Sequence, residues 1–259
     1  MTAPTALLTG ASSGLGLAFA RRLAADGNDL VIVARDVARL DRVAEELRTA
    51  YGRKVEVLPA DLADREQLQR VADRVADPER PVDLLVNNAG FGLGHGVADG
   101  PLEDQERQRD VLVRAVLVLS YAAAGAMRDR GYGAIVNISS VSGFVVMGSY
   151  SAAKAWVTTF SEGLANELGP HGVQVTAVCP GFVHTQFHQR AHMRMTHVPR
   201  LAWLNADDVV DAALADVRRG RVVSIPSARF KAVVTVTRLL PRGVVRRVTG
   251  GFARSRARG

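Results

Sequence analysis

Only one cysteine, Cys179, occurs in the 259 residues. It has no partner in the chain, so an intrachain disulfide is excluded and a reducing compartment, the cytoplasm, is the expected setting. No run approaches the ~20 uninterrupted apolar residues that a membrane-crossing helix needs. Residues 1–10 lack the basic start and apolar core of a secretory signal. No internal repeat is present, and no low-complexity linker precedes the C-terminal region. Hydrophobic residues make up 47% and charged residues 23%, which excludes a disordered chain, a collagen-like repeat and a disulfide scaffold. Acidic side chains are missing from one region. The last 43 residues hold twelve Arg and Lys and no Asp or Glu, against 21 basic and 26 acidic in the first 216. The formal charge of +7 therefore belongs to the tail, and the mildly acidic body gives no hint of a nucleic-acid partner.

Short β-branched and aliphatic runs alternate with helical stretches. Strands are expected at 6–9, 30–34, 55–58, 84–87, 134–138, 173–178 and 222–225, and helices at 15–26, 37–50, 65–76, 103–130, 150–168 and 206–217. Continuous apolar strands suit a sheet covered on both faces. Strand–helix alternation implies right-handed βαβ units, hence an α/β, doubly wound, seven-stranded parallel sheet in a single domain. The expected boundaries are a catalytic domain over 1–227 and a basic amphipathic extension over 228–259.

The first strand runs into Thr9-Gly10-Ala11-Ser12-Ser13-Gly14-Leu15-Gly16, which opens a helix. Glycines let the backbone turn sharply and approach a pyrophosphate, and the helix N-terminus supplies N–H groups and a positive dipole end. The second strand ends in Ala34-Arg35-Asp36. An acidic residue there would hold a ribose 2′-hydroxyl and indicate NAD(H); an arginine suits a 2′-phosphate. Arg35 favours NADP(H), with Asp36 one place later as the competing signal.

Tyr150 and Lys154 lie four apart at the start of a helix and share a face. An ammonium beside a phenol favours phenolate, which would let a tyrosine exchange protons near neutral pH. The preceding strand ends in Asn137-Ile138-Ser139-Ser140, placing hydroxyls at the C-terminal sheet edge where such folds bind ligands.

With Asp61-Leu62, Asn87-Asn88-Ala89-Gly90 and Pro180-Gly181-Phe182-Val183-His184-Thr185, these motifs occur in one order. The chain resembles the short-chain dehydrogenase/reductase family from about residue 6 to 225, and the resemblance implies a Rossmann-type fold. It further implies that Tyr150 exchanges a proton with the substrate oxygen and that Lys154 lowers the Tyr pKa and holds the nicotinamide ribose. Ser140 would bind the carbonyl, with Ser139 and Ser142 as lesser candidates. Gly10, Ser12, Ser13, Gly14, Leu15 and Gly16 would line the pyrophosphate. Asp61 and Leu62 would touch the adenine, Asn88 and Gly90 would lie along the cofactor, and Val183 and Thr185 would orient the nicotinamide. A homodimer or homotetramer through helices 103–130 and 150–168 is also implied.

Two departures stand out. Ser140 to Tyr150 spans ten residues rather than the family's more usual thirteen. Leu112 stands where a helix Asn usually completes a proton relay, although a backbone carbonyl there could still hold the relay water. These departures keep open a nucleotide-binding module with little turnover.

His184, His188 and His192 are spaced i, i+4, i+8, with His197 beyond, but no acidic residue lies between Glu167 and Asp207. Without a carboxylate to orient the imidazoles, the reading is a lid over 182–205, not a metal site. Phe187, Met193, Met195, Leu201 and Trp203 suit an adaptable apolar pocket. Arg190, Arg194 and Arg200 could meet an anionic group. In the tail, Pro241 and Gly243 break residues 230–248 into two short amphipathic helices. Their basic and apolar faces suit either an anionic membrane surface or packing on the protein itself. The substrate reading is a carbonyl compound or secondary alcohol, with a hydrophobic acyl or lipid-like molecule in view.

Overall fold

The computed structural model describes residues 3–187 and 199–256, the side chains of residues 200 and 251–256 excepted. Seven strands form one wholly parallel sheet: β1 (Thr5–Thr9), β2 (Asp29–Ala34), β3 (Val55–Pro59), β4 (Leu84–Asn87), β5 (Gly133–Ile138), β6 (Val173–Val178) and, at the far edge, Val223–Ser224. A two-stranded ladder, β7 (Phe182–Val183) beside β8 (Trp203–Leu204), stands apart, so the edge strand is β9. The main sheet runs β3-β2-β1-β4-β5-β6-β9. Its order reverses between β1 and β4, and the crevice above such a reversal is where ligands bind.

Alternation along each strand divides the core. Leu8, Ile32 and Val136 face α1 (Gly14–Ala25), α2 (Val37–Tyr51) and α7 (Ala206–Arg218). Leu7, Val31 and Ile135 face α3 (Arg65–Ala76), α5 (Ala115–Arg130) and α6 (Gly148–Leu168). Helix starts follow local chemistry. The Asp36 carboxylate accepts from Arg39 N at 3.0 Å and Asp64 from Gln67 N at 2.9 Å, the usual N-cap bonds. Helix α2 ends where Gly52 takes φ +64°.

The expected strands and helices appear with ends shifted by a residue or two, except in one place. The helix expected over 103–130 is α4 (Leu102–Arg109), one wide π-turn over Asp110–Arg114, then α5. Leu112 sits in that turn, fully buried, and its Cδ2 lies 2.8 Å from where a Cβ on Gly90 would stand. A π-turn accommodates one extra residue; here it lets Leu112 pack over the Asn-Asn-Ala-Gly turn. By length and composition the span Leu102–Arg130 could also cross a membrane, but its inner face, with Leu112, Leu119 and Met127, is in the core. The tail forms the two helices expected, α8 (Ala228–Leu239) and α9 (Arg242–Arg256).

Candidate active site

The turn after β1 is held by backbone contacts. Gly10 and Gly14 adopt φ +68° and +54°, which side-chain-bearing residues rarely take. A Cβ on Gly16 would lie 2.3 Å from Gly10 O. Thr9 and Asn88 knit this turn to the end of β4. Asn88 Nδ2 donates to Thr9 O at 2.9 Å, and the Asn88 and Ala89 amides donate to Thr9 Oγ1 at 2.9 and 3.0 Å. Asn88, expected along the cofactor, has its amide engaged in shaping the glycine turn. Thr9 was not singled out from sequence; its place just ahead of the first glycine was the available signal. The first N–H groups of α1 have no acceptor within their own helix. Thr185 closes the other side: its Cβ lies 3.1 Å from a Cβ built on Gly14. The cradle therefore fits a pyrophosphate, since the turn leaves room where no side chain could fit, at the N-terminus of α1.

At the adenine end, Asp36 proves to be the cap of α2. The neighbouring Arg39 reaches Gln186 Oε1 at 3.3 Å. Arg35 is exposed just beyond the end of β2. Burial alone would raise the Asp61 carboxyl, but bonds from Ala63 N and the Arg107 guanidinium, with Arg35 nearby, hold it below its ordinary value. Arg107, from α4, is a partner the sequence did not flag. Leu62 is buried in the core.

The chemical groups converge at the ends of β5 and β6. Ser140 Oγ accepts from Ser142 N at 3.1 Å, and its hydroxyl faces the Tyr150 phenol closely enough to oppose the rise of the phenol's pKa. The ten-residue spacing therefore still brings serine and tyrosine together. Ser139 is structural: its buried hydroxyl donates to Lys154 O and meets Thr158 Oγ1, both at 2.7 Å. Ser142 Oγ is buried without a hydrogen-bond partner among the described residues. Lys154 Nζ is buried, donates to Ile138 O at 2.7 Å, and lies 5.8 Å from the Tyr150 ring centre. Burial lowers its pKa to about 8. It would also lie 3.9 Å from a Cβ on Gly90, so the missing side chain there leaves room beside the ammonium.

The expected effect of Lys154 on Tyr150 needs correction. Burial raises the phenol above its ordinary value, opposed by the Ser140 hydroxyl. The ammonium is held on the Ile138 carbonyl, 5.8 Å from the centre of the Tyr150 ring. Tyr150 is accordingly a protonated phenol at neutral pH, the form that donates a proton.

Behind these groups, Asn87 Nδ2 donates to Asn137 Oδ1 at 2.9 Å and Asn137 Nδ2 to Ser161 Oγ at 3.0 Å, a buried chain tying β4 and β5 to α6. An aromatic wall stands over the site. Phe187 lies 5.8 Å from the Tyr150 ring and Phe182 5.9 Å from Trp203, while His184 stacks on Trp203 at 4.8 Å. Val183 is buried in β7, so the ends of the 182–205 segment are paired through β7 and β8. The expectations for His188, His192, His197, Met193, Met195, Arg190 and Arg194, and for the Arg200 side chain, lie outside the described residues.

A family model for short chain dehydrogenases matches residues 4–196. The chain belongs to that family. It is thus an oxidoreductase of the short-chain dehydrogenase type. An uncharacterized oxidoreductase of Staphylococcus saprophyticus is 36% identical over 183 residues, 70% of this chain and 78% of that protein. A short-chain dehydrogenase from Sphingobium yanoikuyae, solved in complex with NADPH, is 40% identical with a TM-score of 0.83, covering 91% of this chain and 94% of its own. The bulky-bulky ketone specific alcohol dehydrogenase of Comamonas testosteroni is 35% identical with a TM-score of 0.80, covering 92% and 93%.

Proposed function

We propose that this short-chain dehydrogenase reduces ketones to secondary alcohols, and reverses the reaction, with NADP(H) favoured over NAD(H). The observation that carries the reading is the gathering of the Ser140 hydroxyl, the Tyr150 phenol and buried Lys154 at the end of β5, on the sheet edge that also carries the glycine cradle. Gly10, Ser12, Ser13, Gly14, Leu15 and Gly16 hold the pyrophosphate. Arg35 would meet the 2′-phosphate, and the cap bond that Asp36 accepts from Arg39 N supports NADP(H) over NAD(H). Asp61 and Leu62 flank the adenine, and Gly90, Val183 and Thr185 lie along the nicotinamide end. The reduced nicotinamide, when bound, supplies the hydride.

Ser140 donates to the carbonyl oxygen and stabilises the charge that develops there. Tyr150 gives its proton to that oxygen, and the phenolate left behind lies beside the buried Lys154 ammonium, which would also hold the nicotinamide ribose. Phe187 and the Phe182–Trp203 pair make the substrate side apolar and aromatic. That wall suits a bulky hydrophobic ketone or a lipid-like acyl compound. The Comamonas neighbour, named for bulky-bulky ketones, supports the same class.

The test is turnover of a panel of diaryl, aryl-alkyl and small methyl ketones and acyl thioesters with NADPH and with NADH. The reading expects reduction of the bulky ketones with NADPH. Cofactor binding with no turnover, and activity gained in Leu112→Asn, would establish the binding-module alternative.

Two surfaces extend the reading. The outer face of α5 exposes Leu117 and Tyr121, and this is the face for subunit pairing. On the tail, Val233, Val236, Leu239 and Val248 are exposed beside Arg242, Arg246 and Arg247, with no acidic residue in the segment. Apolar side chains among uncompensated arginines complement an anionic bilayer, so this face serves peripheral membrane contact. Val236→Asp with Leu239→Asp should abolish co-sedimentation with phosphatidylserine vesicles; unchanged sedimentation would reject that contact.

A further inference from the structure

The basic tail has an inner face as well as the outer one, and that inner face covers the rim of the active site. Segment 141–149, between Ser140 and Tyr150, is one tight turn (Val141–Phe144) and a short link to α6. Its underside rests on α6, where a Cβ on Gly143 would lie 2.9 Å from the Lys154 and Ala155 backbone. Val141 N donates to Pro180 O at 3.0 Å, joining the segment to the turn after β6.

The tail meets the rest. Thr249 Oγ1 of α9, itself buried, lies within hydrogen-bond distance of two carbonyls, Val146 O at 3.1 Å and Val245 O of its own helix at 2.9 Å, which share its one proton. The Arg238 guanidinium of α8 lies over the Phe144 ring, 4.7 Å from its centre. Phe230 packs so closely on Gly181 that a Cβ there would lie 2.1 Å from the ring, and it meets Phe182 edge-on at 6.2 Å. Arg229 donates to Leu201 O, beside β8. Val234 and Val245 are buried beneath the helix pair. These contacts fall on the loop after β5, the turn after β6 and the base of the 182–205 segment, the elements that surround the Ser140 and Tyr150 hydroxyls. The family model ends at residue 196, so this buttress lies beyond the region that defines the family.

We propose that the C-terminal helix pair forms the outer support of the substrate cleft, with Thr249, Arg238 and Phe230 as positioning residues that set which ketones fit between segment 141–149 and the Phe182–Trp203 wall. The proposal rests on the ketone-reductase reading above. A free loop of nine residues beside a reacting centre would sample several shapes. Held by a buried hydroxyl on one carbonyl and a guanidinium on one ring, it presents one shape, and the side chains of Phe144 and Val146 become fixed walls.

The test uses the full chain and four variants: Thr249→Val, Thr249→Ser, Arg238→Gln and Arg238→Lys. Steady-state kinetics compare a bulky diaryl ketone with a small methyl ketone. Hydrogen exchange of peptides covering 141–149 and NADPH binding are followed in parallel. Thr249→Val and Arg238→Gln are expected to raise KM for the bulky ketone, shift the bulky-to-small ratio of kcat/KM by about fivefold, and quicken exchange in 141–149, with NADPH binding unchanged. One neutral hydrogen bond, or one exposed cation–π contact, accounts for an effect of that size. Thr249→Ser and Arg238→Lys should stay close to wild type. If Thr249→Val does not fold, Arg238→Gln, an exposed change, decides the question by the same readouts. Wild-type ratio and wild-type exchange in both variants would overturn the proposal. A wild-type protein that reduces no ketone would instead overturn the functional reading, and the exchange data would still decide whether the tail holds the loop.

Discussion

On the cofactor side, between β1 and β4, backbone meets backbone: Gly16 leaves 2.3 Å between a built Cβ and Gly10 O, and Asn88 ties both strands to that turn. On the substrate side, between β5 and β6, side chains from a distant part of the chain meet backbone, with Thr249 on Val146 O and Phe230 against Gly181. The first arrangement joins a short glycine turn to Asn88, 79 residues on from Thr9, and tolerates almost no change. The second is assembled across about a hundred residues of sequence, Thr249 and Val146 being 103 apart, and can alter the cleft without altering the cradle. A common cofactor site and a private substrate site can then share one sheet edge.

Substitutions separate the two sides, and the largest effect belongs to the cradle. In Gly16→Ala the new methyl meets a carbonyl rather than a flexible side chain, so cofactor binding should be lost and stability should fall by about 1–3 kcal/mol. A near-wild-type melting temperature with full NADPH affinity would break the comparison at its firmer end. Next in size, Arg35→Ala should weaken NADPH binding by roughly tenfold or more while sparing NADH, as expected for one charge-assisted bond. Asp36→Ala should leave that ratio alone and cost about 1 kcal/mol of stability through the lost cap. Chemical denaturation and cofactor titration of the pair assign each residue its role, and the reverse pattern would return Asp36 to the ribose.

Lys154 gives a pH test with two opposite trends. Its pKa is lowered by burial from 10.5 to about 8. A lysine depressed in the folded state binds fewer protons folded than unfolded, so stability should rise as pH climbs from about 8 towards 10.5. Over the same window the ammonium is lost, and ketone reduction should fall by several-fold. Lys154→Met should flatten the stability trend; a wild-type trend in that variant would assign the titration elsewhere. The smallest effect on catalysis belongs to the outer face of α5. Tyr121→Glu should shift the protein towards monomer in light scattering with little change in kcat, and an unchanged mass would place the subunit contact elsewhere.

How much of this could be read from sequence follows the same division. The strands were legible because a sheet covered on both faces demands short continuous apolar runs, and 84–87 and 173–178 matched to the residue. The cradle was legible because its glycines mark where a side chain cannot fit. The π-turn at Asp110–Arg114 was not, because apolar residues continue through it with helical spacing and only packing over Gly90 reveals the extra residue. Strands β7 and β8 are two residues each, too short to show a period. Asp36 read as a competing signal for the ribose, since a carboxylate one place before a helix looks the same whether it binds a hydroxyl or caps the helix. The Lys154–Tyr150 spacing indicated a shared face correctly but not the direction of the ammonium, which the Ile138 carbonyl decides. The tail's amphipathic pattern announced two helices and two possible uses for their apolar faces. Only the fold shows that one face lies on the active-site rim and the other on the outside.

The most direct measurement compares wild type with Tyr150→Phe: NADPH affinity by fluorescence titration, then NADPH oxidation on adding a bulky aryl ketone. The account predicts equal affinity and a rate at least about a hundredfold lower in Tyr150→Phe, the loss expected when a general acid is removed. Equal rates in the two proteins would contradict it, because the proton would then have to come from a group other than the phenol that faces Ser140.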